Sequence, residues 1–142
     1  MKKNKIVVLL AIVSLLLASL ACNAISGNGV SVTTANITNA HMSKDKDDTT
    51  QTTTYAPADA SFYCYFDLNN ASDTTVVKGT WTAVSAEGVD PNFVIDSAEI
   101  TGGSNTYVFN LDRSTDSWPG GKYKIDLYID GKMVQTVEFE VK

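Results

Sequence analysis

Residues 122–141 read KYKIDLYIDGKMVQTVEFEV, and this stretch decides the fold. Tyr123, Ile125, Leu127 and Ile129 alternate with Lys122, Lys124, Asp126 and Tyr128. A period of two puts the apolar set on one face of an extended strand. Asp130-Gly131 then supplies residues that tolerate the positive φ of a two-residue hairpin. The returning strand is expected to place Met133, Gln135, Val137, Phe139 and Val141 on one face, with Thr136, Glu138 and Glu140 on the solvated one.

Working outward, the same alternation recurs upstream. Phe62, Cys64, Phe66 and Leu68 share a face, opposite Ser61, Tyr63, Tyr65 and Asp67. A strand from about Thr74 to Val84 aligns Val77, Gly79, Trp81 and Ala83. Phe93 to Thr101 reads as a further strand whose phase is disturbed by Asp96 and Ser97. Thr106 to Leu111 aligns Tyr107, Phe109 and Leu111. No stretch after Ser61 sustains a helical period. Residues 61–142 are therefore expected to form an all-β domain, a small antiparallel sandwich of six or seven strands. Trp118-Pro119-Gly120-Gly121-Lys122-Tyr123, with the hairpin at Asp130-Gly131 and the ending Phe139-Glu140-Val141, resembles immunoglobulin-like and fibronectin type III-like modules. The resemblance covers about the last 25 residues. It implies a fold and almost nothing about function, because sandwiches host many unrelated roles.

The N-terminus has a different character. Lys2, Lys3 and Lys5 precede the uncharged run Ile6–Leu20. Fifteen residues are short for a membrane span, which needs about 20, and suit the apolar region of a signal peptide over residues 1–21. Ser19-Leu20-Ala21-Cys22 resembles the lipobox of bacterial lipoproteins, with Ser19 in place of the commoner leucine. The resemblance implies a diacylglycerol on the Cys22 thiol, cleavage just before it, and in many lipoproteins a further amide-linked chain such as palmitate. The alternative is ordinary secretion with Cys22 left as a thiol. Two or three acyl chains hold a protein stably where one holds it only reversibly. The expected location is extracytoplasmic, lipid-anchored on the cell membrane or envelope.

Residues 22–60 are expected to be the lipidated cysteine followed by a flexible linker. Asn23 to Ala60 includes eleven Ser or Thr, and its few apolar residues lack a sustained period. Val30 and Val32 are the candidates for an added edge strand, and the lone histidine, His41, read within a disordered spacer, suggests neither a metal site nor half of a catalytic pair. Loss of residues 1–21 removes three lysines and no acid, leaving 8 basic against 16 acidic side chains. That balance lacks the footprint of nucleic-acid binding, and no polybasic stretch faces anionic lipid.

Few residues suggest chemistry. Cys64, flanked by Phe62 and Phe66 on one face, reads as core. Trp81 reads as the centre of the sandwich. Tyr63, Tyr65 and Tyr128, on faces opposite the expected core, and Trp118, expected to be partly exposed, are the candidate ligand-binding residues. Asp112-Arg113-Ser114-Thr115-Asp116 loosely suggests a calcium loop, but Ser117 stands where the glycine belongs. No catalytic residue, metal or cofactor is expected: residues 61–142 contain no histidine base, and no phosphate-binding glycine loop is present. The expectation is a non-enzymatic binding module for a protein or carbohydrate ligand at the cell surface. The alternative is a structural or assembly subunit of an envelope complex.

Overall fold

The computed structural model describes residues 34–47 and 50–142. Among these residues the chain forms β1 (Asn36–Ser43), β2 (Thr54–Tyr55), β3 (Ser61–Asn69), β4 (Val76–Ala86), β5 (Phe93–Thr101), β6 (Asn105–Asp112), β7 (Gly121–Ile129) and β8 (Lys132–Val141). One sheet has the order β1-β3-β6 and the other β2-β8-β7-β4-β5. Every pairing is antiparallel except β2 on β8. The all-β sandwich expected from the alternation is therefore present, with eight strands in place of six or seven. The signal peptide, Cys22 and the Val30–Val32 strand lie outside the described residues.

Folded structure begins before the expected boundary at Ser61. β1 and β2 both fall within the segment read as flexible linker, and Met42 and Tyr55 are buried there to 1% exposure. A bulge explains why β1 was hidden. Between Thr38 and His41 the strand advances three residues while β3 advances two, and Asn39 takes a positive φ of 53°. The extra residue lets Ile37 oppose Leu68 and Met42 oppose Cys64, both on the inner face. In a regular strand their five-residue separation would put them on opposite faces. β2 is only two residues long, so it has no period to read.

The two inner faces meet around Phe62. Its ring stacks on Trp118 at 4.1 Å and meets Tyr55 and Phe139 edge-on at 4.6 and 4.7 Å. Tyr123 and Trp81 lie at 5.8 and 6.5 Å. Aromatic rings from both sheets thus converge on one side chain that is fully buried. Trp81 occupies the expected central position, and its buried indole N–H has no hydrogen-bond partner. Apolar contact is what holds it.

The Trp-x-x-Gly-x-Tyr stretch has a mechanical reading. Trp118 caps the core, Tyr123 donates its hydroxyl proton to the Pro119 carbonyl at 2.6 Å, and Gly121 passes against the β4 backbone. A Cβ at Gly121 would lie 2.1 Å from the Ser85 carbonyl oxygen, and its φ is +149°, so only glycine fits. Asp130 and Gly131 take φ of 48° and 82°, the primed turn expected of the hairpin. The expected face of β8 needs one correction. A bulge at Val134 sets Met133 opposite Tyr128, on the outer face, where Met133 is 55% exposed.

Phe62→Ala is expected to lower the unfolding free energy by about 3–5 kcal/mol, read from the urea midpoint. A loss under about 1 kcal/mol would show that the ring does not join the sheets.

Candidate binding surfaces

The outer face of the three-stranded sheet carries a groove of about 450 Å³ lined by Asn39, His41, Gln51, Tyr65, Asp67 and Thr106, among others. β1, β3 and β6 lie side by side there, and the β1 bulge turns Asn39 toward Asp67. Asp67 accepts hydrogen bonds from Thr106 Oγ1 at 2.6 Å and from Asn39 Nδ2 at 2.7 Å. These two donors, Thr106 first, hold its carboxyl below the usual carboxylate range, and the nearby His41 ring adds to the effect. His41 Nδ1 donates to the Asn39 carbonyl at 2.7 Å, because a carbonyl can only accept. The result is a carboxylate already oriented in an open, polar groove.

The four aromatic candidates do not come together. Tyr63 and Tyr65 both stand on the outer face of β3, but only Tyr63 is half-open to solvent. Tyr65 is buried to 8% exposure: the His41 ring stacks on it at 5.8 Å, and its hydroxyl donates to the Lys46 carbonyl. Tyr128 lies half-buried on the opposite sheet, flanked by Lys78 and Met133. Trp118, expected to be partly exposed, is buried at 7% exposure. Its indole N–H donates to the Asp59 carbonyl at 2.9 Å while its face covers Phe62. The burial follows from the Pro57–Ala60 segment, which was expected to be linker and instead folds over the ring.

His41, Asn39 and Thr106 were missed as site residues. The first two sit on the strand hidden by its bulge, and Thr106 carries no signal beyond its alternation. His41 belongs to the folded unit, which corrects its placement in a spacer. Cys64 is free and fully buried, as expected of a core residue. Asp112, from the loose calcium pattern, instead accepts hydrogen bonds from Ser61 Oγ at 2.7 Å and Asn110 Nδ2 at 3.2 Å. Among the described residues no cluster of three or more His, Cys, Asp or Glu side chains is placed to hold a metal ion.

A further polar pair stiffens the other sheet. Asp126, only 6% exposed, accepts from Thr136 Oγ1 at 2.6 Å and meets Lys124 Nζ at 2.8 Å. The hydrogen bond to Asp126 raises the Lys124 ammonium above its ordinary value.

No family model matches the chain, and no curated protein matches it. Solved structures do. An immunoglobulin-like protein from Pseudomonas aeruginosa is similar at 13% identity and a TM-score of 0.51, over 75% of this chain and 92% of that one. The Pseudomonas fluorescens alkylpurine DNA glycosylase AlkC, bound to DNA containing an abasic site analog, is similar at 14% identity and a TM-score of 0.50. That match covers 76% of this chain but only 30% of the glycosylase. A β-glucosidase from Kluyveromyces marxianus is similar at 15% identity and a TM-score of 0.47, over 82% of this chain and 15% of the enzyme. At 13% identity the likeness to the Pseudomonas aeruginosa protein is one of fold alone: an immunoglobulin-like β-sandwich.

Burial pushes the Cys64 thiol up to about 12 and raises the Tyr55 and Tyr123 hydroxyls as well. The fold holds these groups neutral, so the unfolded chain releases their protons first. Their contribution is complete below the unfolded values and is lost as pH rises through the folded ones. Between pH 9 and 10 the thiol dominates, at up to about 1.4 kcal/mol per pH unit. Cys64→Val is expected to flatten the fall in stability over that interval in urea titrations. Parallel losses in the two proteins would mean that the thiol is not held neutral.

Proposed function

We propose that this chain is a lipid-anchored extracytoplasmic protein that presents its sandwich at the cell surface as a binding module. The basic head, the short apolar run and the Ala21-Cys22 step support the anchor. The observation that carries the binding reading is the Asp67 carboxylate, fixed by Thr106 and Asn39 in an open groove beside His41. A pre-oriented carboxylate has lone pairs left for the hydroxyls of a carbohydrate or for polar groups of a protein ligand, and it loses little entropy on binding. Tyr63, on the same face, extends that surface. We assign no reaction to the chain: Cys64 is sealed in the core, and its thiol is held protonated.

A second reading, a subunit of an envelope assembly, is favoured by the exposure of β5. Seven of its nine residues are exposed, and among the described residues it pairs on one side only.

In membranes washed with high salt, the wild-type chain is expected to stay in the pellet and to incorporate labelled palmitate. Cys22→Ala should move to the soluble fraction without label. A variant that still sediments fully would remove the anchor. On a glycan array, Asp67→Ala is expected to lower retained signal about tenfold, the scale of one lost hydrogen bond to a charged group. Undiminished signal in the variant, or no glycan retained by the wild type, would take carbohydrate binding away from the groove.

A further inference from the structure

We propose that the free edge of β5 accepts an extended, basic segment of a partner protein as an additional strand. The inference rests on the assembly reading and names the partner's chemistry. Among the described residues β5 is the terminal strand of its sheet and has β4 as its only neighbour, so one row of its backbone N–H and C=O groups faces outward. The other end of the sheet is the two-residue β2, which offers far less edge.

The three-stranded sheet leaves most of β5 exposed. β6 packs over β4, with the Phe109 ring lying 2.8 Å from where a Cβ on Gly79 would stand. β5 lies at the margin of the sandwich: seven of its nine residues are exposed, while Ile95 and Ile100 pack against the core. Phe93 and Val94 are 51% and 56% exposed at its start, and Ile95 and Ile100 are half-buried. An incoming strand finds backbone to pair with and apolar side chains to cover.

Charge selects the occupant. From Gly79 to Asp112 the chain has no lysine, arginine or histidine, and it carries Glu87, Asp90, Asp96, Glu99 and Asp112. This run supplies most of β4 and all of β5 and β6, so the charged side chains of β5 itself are all acidic; the nearest base on β4 is Lys78, which stands opposite Glu99 and leaves Asp96 without a basic cross-strand partner. A second copy of this chain would bring the same acids against themselves, whereas a lysine- or arginine-bearing strand is attracted. Asp96 adds a contact-level reason. Its Oδ1 accepts the Ser97 N–H at 2.7 Å and occupies that donor on the exposed strand. A basic side chain drawing Asp96 away frees the Ser97 N–H for the carbonyl of the arriving strand.

The test uses the full chain in detergent and a labelled ten-residue peptide alternating lysine and valine. The control peptide has equal charge, with proline in place of each valine, and cannot add as a strand. The alternating peptide is expected to bind at least tenfold more tightly than the control and to slow amide exchange across β5. The double variant Asp96→Lys, Glu99→Lys, both at exposed positions, is expected to lose at least tenfold in affinity while its thermal midpoint holds. Ser97→Pro is a second probe if the charge variant unfolds. Equal binding of the two peptides would reduce the effect to bulk electrostatics and overturn the proposal. So would exchange protection located away from β5, or sedimentation showing that β5 pairs with a second copy. None of these results bears on the anchor, since membrane retention is read from Cys22 alone.

Discussion

The structure depends on a ring-to-ring clasp between two sheets. Phe62 comes from β3 in one sheet, and its neighbours Tyr55, Trp81, Tyr123 and Phe139 come from four strands of the other. Trp118 closes the same cluster from the loop before β7. Apolar burial has no direction of its own, and offset and edge-on ring contacts supply the geometry that aligns one sheet on the other. A domain of this size has little surface to hide, so large rings on one side chain are an efficient solution. The segment 54–60 belongs to that solution, because Tyr55 enters the cluster and Asp59 holds the Trp118 indole N–H.

With most rings committed to the interior, the exterior is left with polar groups, strand edges and a few exposed apolar side chains, Phe93 and Val94 at the start of β5 among them. Neither outer sheet face presents an open row of aromatic side chains: Tyr65 is roofed by His41, and Tyr128 stands on the far sheet from Tyr63. The two proposed recognition features are of another kind. One is a fixed carboxylate in a groove built across β1, β3 and β6. The other is the exposed strand β5, whose own charged side chains are acidic. They lie on different sheets, so the two proposals call on separate surfaces, one through side chains and the other through backbone.

Legibility in the sequence followed regularity. The β7–β8 hairpin was readable because strict alternation and an Asp-Gly turn agree, and β3 and β4 because each buries every second residue. Where one residue is inserted, the reading failed. The bulge in β1 separated Ile37 from Met42 by an odd interval and concealed both the strand and the site residues Asn39 and His41. The bulge at Val134 turned Met133 outward against its apparent phase. The register shift beside Trp81 explains the disturbed pattern of β5, whose exposure at seven of its nine residues removes the contrast that alternation needs. Trp118 was misjudged for a different reason: its cover comes from a loop distant in sequence, and no local pattern records that.

Cys64 carries a last consequence. The sulfur sits sealed on the inner face of β3 as a free thiol, and aromatic contacts do the joining that a crosslink performs in many sandwiches of this architecture. Assembly of the domain therefore waits for no oxidant and is undone by no reductant. What paces it is topology: β2 must meet the far C-terminal end of β8, and β1 must reach across to β3, pairings that close long loops before any reward arrives. The time the chain spends incompletely folded is thus tied to contact order and not to redox chemistry.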